Sequence, residues 1–252
     1  MEGTGSAELR DVYERQYSAK GEEGARYGRW RALGAQGKAD HVVRLAAELA
    51  EPPRAVAEVG CGDGVLLEML AKRGVGEIHH GFEISERAVE IAAGRPRVGS
   101  VERFDGLHLP AADGAYDLAV LSHVLEHVPD PLPLLRETGR VARAVVVEVP
   151  LEDSRSASRP SARRASEAIG HLHRFNRADV RGLCSAAGLS VAAEVSDPLP
   201  LAVHAFFADT LAARVKAGAK ALVRRALFTA SARAAERAFT VHYACLAVPP
   251  PP

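Results

Sequence analysis

The sequence predicts an α/β fold, a mostly parallel sheet with helices on both faces. Short, nearly unbroken apolar runs alternate with segments of helical spacing, the pattern of strands buried on both sides. The first clear strand runs into a glycine loop, Gly60-Cys61-Gly62-Asp63-Gly64, and the loop opens a helix. Strand, glycine loop and helix make the nucleotide-type turn of an open α/β sheet.

The elements follow in order. Apolar spacing from Val42 to Leu49 fits a helix that Pro52-Pro53 stops. Ala55–Val59 is the first strand, and Val65–Arg73 is a helix ended by Gly74. Glu77–Glu83 is the second strand, and Ser85 can cap a helix reaching Ala93. The third strand lies near Val98–Arg103 and the fourth at Tyr116–Leu121, with a helix over Pro131–Val141. Ala144–Val149 is the fifth, an almost wholly apolar run. A helix from Arg177 to Ala187 ends at Gly188, and a sixth strand runs through Leu189–Val195. Residues 201–238 read as helical, and the alternating segment Phe239–Val248 is the seventh strand. The right-handed crossover rule leaves few topologies for such a chain. The expected organisation is an N-terminal helical lid over 1–40 and a main domain over 41–248. That domain carries a basic insert at 152–175 and a helical insert at 199–238.

Composition narrows the class. The 252 residues hold 32 basic and 32 acidic side chains, with 47% hydrophobic and 25% charged. That is an ordinary folded domain with no net charge, a poor match to a general nucleic-acid binder. Cys61, Cys184 and Cys245 are scattered and form no Cys-x-x-Cys, which argues against a zinc ribbon or a disulfide framework. No apolar run is long enough to span a bilayer, so no stable membrane insertion is expected. The polar N-terminus is unlike a signal peptide, and a cytoplasmic protein is expected.

The glycine loop poses a choice of ligand. A dinucleotide asks for G-x-G-x-x-G, but Val65 stands three places after Gly62. No Gly-Lys-Ser/Thr follows, which excludes a phosphate-binding P-loop. Asp63 would repel a pyrophosphate, whereas carboxylates at Glu58 and Asp63 are compatible with S-adenosylmethionine (SAM), which carries an ammonium and a sulfonium. Glu83, with Ile84 beside it, ends the second strand where a carboxylate can accept both ribose hydroxyls. Asp105-Gly106-Leu107 follows the third strand; the acid can accept from an adenine amine and Leu107 can pack on the ring, although Asp-Gly also builds an ordinary turn. The fourth strand ends at Ser122-His123, in the run Ser122-His123-Val124-Leu125-Glu126-His127.

Together these motifs resemble the class I SAM-dependent methyltransferases of the small-molecule type, over roughly residues 40–195. The resemblance implies a Rossmann-like seven-stranded sheet of order 3-2-1-4-5-7-6, with a reversed last hairpin. It carries the cofactor role to Glu58, Gly60, Gly62, Gly64, Glu83, Asp105, Gly106 and Ser122.

Methyl transfer from a sulfonium is an in-line displacement that asks for alignment and, for some nucleophiles, a base. His123, Glu148 and His171 are the catalytic candidates, and Glu148 interrupts an otherwise apolar strand. His171-x-His173 lacks a convincing third ligand, so no metal is expected. Two arginine-rich, acid-poor stretches, Gly24–Ala39 and 154–178, could converge on an anionic acceptor. Arg29, Arg163, His173 and Arg174 are the substrate-binding candidates. A phosphate- or diphosphate-bearing small molecule is therefore expected as acceptor. A neutral natural product or sugar is the alternative, as is a non-catalytic SAM-binding module. The helical insert is read as a pocket cover or a homodimer contact, with a membrane-surface face through Phe206, Phe207, Leu211, Val215 and Leu222 as the other reading.

Overall fold

The computed structural model describes residues 4–18 and 21–250. Two helices lead in, α1 (Thr4–Tyr17) and α2 (Gly21–Ala46). The sheet region then runs β1 (Ala55–Val59), α3 (Val65–Lys72), β2 (Ile78–Glu83), α4 (Glu86–Ala93), β3 (Ser100–Arg103), β4 (Leu118–Ser122), α5 (Pro131–Val141) and β5 (Val145–Leu151). It continues with α6 (Pro160–Ala168), α7 (Arg177–Ala186), β6 (Ser190–Asp197), α8 (Leu201–Ala205), α9 (Leu211–Ala230), α10 (Ala232–Ala238) and β7 (Val241–Val248). The seven strands form one sheet in the order β3-β2-β1-β4-β5-β7-β6, as the resemblance implied. β7 is antiparallel to both of its neighbours, and the other pairings are parallel.

The strands are apolar because both faces are covered. Val145, Val147 and Val149 of β5 enter one core with Phe82, Leu121 and Leu134, while Val146 enters the other with Leu70 and Leu118. Each such valine contributes roughly 1.5–3 kcal/mol on full burial. Helix starts are set by side chains. Ser85 accepts from the Ala88 N–H, as its position predicted, and Asn176 with Asp179 makes a reciprocal capping box for α7.

The boundary expected at residue 40 does not divide the chain. It falls inside α2, whose first half reaches the ligand cavity while Ala39, Val42, Leu45 and Ala46 pack under the sheet. Helical spacing of small and aliphatic residues back to Ala35 extends the buried stripe beyond the expected start. The insert before β7 also divides. Leu199, Pro200 and Val203 face the cavity, whereas Leu211, Val215, Leu222 and Val223 of α9 are solvent-exposed. Among the described residues, no helix is long and apolar enough to cross a membrane.

Candidate active site

Strand order reverses between β1 and β4, and ligands of such sheets bind beyond the carboxyl ends of the strands there. A cavity of ≈ 740 Å³ lies at that edge. One end is built from β1, β2 and their loops, the other from β4, β7 and the helices α2 and α8.

At the first end, Gly60 and Cys61 donate their backbone N–H groups to the Phe82 carbonyl, at 2.7 and 3.0 Å. This ties the glycine loop to β2. Gly62 has φ +54°, and a Cβ there would strike the Tyr17 hydroxyl. Glu58 is buried, and its Oε2 has no hydrogen-bond partner among the described residues. Burial pushes its carboxyl up to about 8, against the opposing pull of Lys38. An orphaned buried carboxylate oxygen beside a glycine cradle with no space for a side chain fits a compact, positively charged ligand such as SAM.

Two expected cofactor contacts are modified by the geometry. Glu83 Oε2 accepts from Gly62 N at 2.8 Å, and Oε1 from Ile84 N at 2.8 Å and Ser85 N at 3.0 Å. Burial raises its pKa, and these amides oppose the rise. Three of roughly four lone-pair sites are thus taken by the chain itself, so Glu83 cannot receive two ribose hydroxyls as freely as its position suggested. Asp105 accepts from Leu107 N at 2.8 Å, from His108 N at 2.6 Å and from the His108 ring at 2.8 Å. It is a turn-builder, with its adjoining Gly106 and Leu107 on the cavity wall. Of the ten expected cofactor residues, Gly64 alone does not line the cavity. Its φ is +71°, and a Cβ there would meet Ala92 Cβ at 2.9 Å, so it serves the packing of α4.

At the second end, His123 follows β4 with an unusual φ of 58° for a non-glycine residue. Its Nδ1 lies 3.1 Å from Glu126 Oε1, but that oxygen receives no well-aligned hydrogen bond. Among the described residues, the buried Nε2 of His123 has no hydrogen-bond partner. The His242 ring packs edge-on at 4.7 Å between centroids. Burial pulls both imidazoles down to about 3, so both are neutral at physiological pH. Lys38 reaches this end from α2, and Tyr13, Tyr17 and Trp30 also line the cavity.

Glu148 stands behind this wall rather than in it. Its Oε1 lies 2.9 Å from His41 Nδ1, and its Oε2 accepts from Ser122 Oγ at 2.7 Å. Burial would raise this carboxyl, yet the hydrogen bond to His41 and the charge of Lys38 hold it down to about 2. His41 Nε2 lies 3.0 Å from Asp197 Oδ2, off the line of a good hydrogen bond. Glu148 therefore positions Ser122 and His41, and the expectation that it meets substrate is corrected. His171 is likewise outside the cavity lining, with Nδ1 2.9 Å from Glu152 Oε2.

The arginines expected to clamp an acceptor do not converge. Arg29 and Arg163 are exposed, and neither they nor Arg174 line the cavity. His173 is spent on the Val128 carbonyl, 2.8 Å away. The cause is helical phase: Trp30, Arg31, Gly34 and Lys38 face the cavity from α2, and Arg29 points away from it. Arg31 is engaged by Asp63 at 2.9 Å and stacks over Tyr17. Lys38 was visible as part of a basic stretch. His242 and Asp197 carried no local signal, because only the reversed β5–β7–β6 pairing brings them here.

A family model described as a methyltransferase domain matches residues 27–194. The chain belongs to that family, the class I SAM-dependent methyltransferases, whose cofactor is S-adenosylmethionine. Among similar proteins is an uncharacterised methyltransferase of Mycobacterium sp. (strain JLS), 37% identical over 100 residues, which are 40% of this chain and 39% of that protein. A ubiquinone biosynthesis O-methyltransferase of Vibrio campbellii is 31% identical over 97 residues, 35% of this chain and 39% of the other. The chain thus spans about two fifths of the length of these curated relatives. Geranyl diphosphate C-methyltransferase from Streptomyces coelicolor A3(2) superposes with a TM-score of 0.68 at 14% identity, over 98% of this chain and 99% of that one. Magnesium protoporphyrin IX methyltransferase from Synechocystis PCC 6803 gives 0.59 at 17% identity, over 98% of each chain. At such identities the likeness is one of fold.

Proposed function

We propose that the protein transfers a methyl group from SAM to a small-molecule acceptor that carries one anionic group. The observation that supports this most is a single cavity running from Glu58, Gly62 and Glu83 to Lys38, His123 and His242. The cofactor, when bound, supplies a methyl group on a sulfonium. Glu58, Gly60, Gly62, Glu83, Ile84, Gly106, Leu107 and Ser122 are assigned to holding it, with Glu58 answering its positive charge. Asp105 and Gly64 shape the loops around it.

The acceptor end favours an apolar body with one charge. Trp30, Leu33, Leu199 and Val203 offer apolar surface. Arg31 and Lys38 are the permanent cations on the wall, and Arg31 is already paired with Asp63. One lysine suits a carboxylate, a phenolate or a single phosphate. A diphosphate asks for several converging donors. His123 presents a neutral, unpartnered Nε2 that can take a hydrogen bond or a proton from the acceptor's O–H or N–H.

The test is S-adenosylhomocysteine formation with paired panels of small apolar acids and their neutral esters, beside calorimetry of SAM binding. Turnover of acids over esters supports the reading. Equal turnover of both panels points to a neutral acceptor. Tight SAM binding without turnover of either panel points to a non-catalytic SAM-binding module.

A further inference from the structure

We infer that Glu126, His127 and His171 form a binding site for a divalent first-row transition metal, with Zn²⁺ as the type ion. The site is independent of the cofactor residues and joins two segments far apart in sequence. Residues 125–127 lie in a turn after β4, so the neighbours Glu126 and His127 are not splayed as they would be on a helix. The segment after α6 is fastened to this turn by Leu172 N and His173 N, which both donate to the Glu126 carbonyl, at 2.7 and 3.1 Å. His171 is thereby brought to the pair. One ligand atom from each of the three side chains lies within 4.8 Å of the other two. Metal–ligand bonds of about 2.0–2.2 Å would draw the three in slightly on loading.

Three features point to a cation rather than to packing. Glu126 is fully buried, and among the described residues neither of its oxygens has an aligned hydrogen-bond donor. A buried carboxylate left in that state is costly unless something positive meets it. The His127 Nδ1 lies 3.0 Å from the Gly170 carbonyl, and the His171 Nδ1 lies 2.9 Å from Glu152 Oε2. Donating at Nδ1 leaves each ring with a lone pair at Nε2, and a carboxylate or carbonyl behind the ring is the usual support of a metal-bound histidine. Two imidazoles and one carboxylate suit Zn²⁺, Fe²⁺, Co²⁺ or Mn²⁺, whereas Mg²⁺ and Ca²⁺ take oxygen.

A second cluster, His123, Glu148 and His242, is equally compact, but both Glu148 oxygens are already bonded, to His41 and Ser122. The ammonium of Lys38 acts on Glu126 and would oppose a dication. Glu152 supplies one negative charge against it, and Glu126 a second once the ion displaces the proton that burial favours there. His127 lines the cavity and His171 lies behind it, so the ion would sit in the cavity wall. Its open positions could take an acceptor oxygen. That role rests on the proposed function; the metal site does not.

The experiment uses the full chain without SAM, stripped with a chelator and then titrated with Zn²⁺ and Co²⁺. Calorimetry gives stoichiometry and affinity, and the visible spectrum of Co²⁺ reports its ligand field. We expect one equivalent per chain, at least 100-fold weaker binding in Glu126→Gln and His171→Ala, and His242→Ala within about 3-fold of wild type. Glu152→Gln, which keeps the shape of the second layer, should weaken binding about 10- to 100-fold. It decides the matter if the ligand variants fail to fold. No binding by the wild type, or binding indifferent to Glu126, His171 and Glu152, overturns the assignment. Loss in His242→Ala with retention in His171→Ala also overturns it, by moving the ion to the second cluster.

Discussion

The two ends of the cavity are assembled on different length scales. At the β1–β2 end, Glu58 to Gly62 is one unbroken stretch, and Glu83 closes it from the next strand. At the other end, Lys38 comes from α2, His123 from the bend after β4, Asp197 from β6, Val203 from α8 and His242 from β7. The first end is held largely by backbone: Gly60, Cys61 and Gly62 bond to β2 through their own N–H groups. The second is held by side chains, through the buried chain Ser122–Glu148–His41. The difference separates the chemistry. A backbone cradle can be common to many acceptors, whereas a wall of side chains from five elements can vary without disturbing it.

If the two ends are separable, a change at one should spare the other. His123→Ala should lower turnover by about 100- to 10,000-fold, the usual range for a lost acid–base group. SAM affinity measured by calorimetry should stay within a few-fold. Because burial holds the His123 imidazole at about 3, it stays neutral as pH falls from 8 to 5. The rate should therefore show no limb near 6.5 from this residue. An equal loss of SAM affinity would break the division.

The mirror test is on the glycine loop. Gly62→Val puts a branched side chain at φ +54° and against the Tyr17 hydroxyl. The left-handed strain of about 1–2 kcal/mol is present with or without ligand and lowers stability. A branched side chain crowding the cradle, at an overpacking cost of about 1–3 kcal/mol, predicts roughly 10- to 100-fold weaker SAM binding. Gly64→Ala has similar strain but meets Ala92, behind the cavity. It should lower the melting temperature and leave SAM affinity much less affected. Equal affinity losses in both variants would mean that the loop acts as one rigid unit.

The same contrast explains what the sequence could and could not disclose. Strand order and the place of the glycine loop and Glu83 at the ends of β1 and β2 were legible because each depends on neighbours in the chain or on period and crossover rules. The position of Gly64 behind the cavity was not legible, because a left-handed turn glycine and a ligand-contacting glycine look alike in sequence. Asp105-Gly106 allowed both a ligand role and a turn, and the turn took the carboxylate. The arginine stretches misled because composition counts charges without their direction: Arg29 and Arg31 are two residues apart on α2, and only Arg31 faces inward. Glu148 was correctly singled out as a costly polar residue in a buried strand. Its partner His41 lies 107 positions away, outside the reach of any local pattern.

The acceptor end can be sharpened at Lys38. Lys38→Met keeps the stem and removes the charge. With an acidic acceptor, the loss of a charged hydrogen bond, about 1.5–3 kcal/mol, should raise KM by roughly 10- to 100-fold. The neutral ester of the same acceptor should be nearly indifferent. Equal effects on acid and ester would mean that Lys38 works by packing, and the anionic acceptor would lose its support.

The smallest expected effect concerns stability, and it belongs to the side-chain-built end. Burial pulls the His41 imidazole down, but Asp197 and Glu148 outweigh it and bring it up to about 9. A raised histidine contributes stability that is fully present below its unfolded value, about 6.5, and is lost as pH rises through 9. Glu148, held at about 2, contributes in the opposite sense: its share is present above the unfolded value and is lost as pH falls through 2. The network should therefore hold best between about pH 4.5 and 6.5. Melting curves from pH 6 to 9.5 should show a loss on the order of 2 kcal/mol, roughly 4–8 °C for a chain of this size. Asp197→Asn should flatten that alkaline slope, because one of the two carboxylates that raise His41 loses its charge. The glycine loop adds its own share, since burial raises Glu58 to about 8 and its contribution is likewise lost as pH rises through that value. Asp197→Asn leaves that share in place and removes only the His41 part of the slope. A melting temperature flat across this range, or a slope unchanged in Asp197→Asn, would show that His41 is neutral in the folded protein and that Glu148 is held by Ser122 and Lys38 instead.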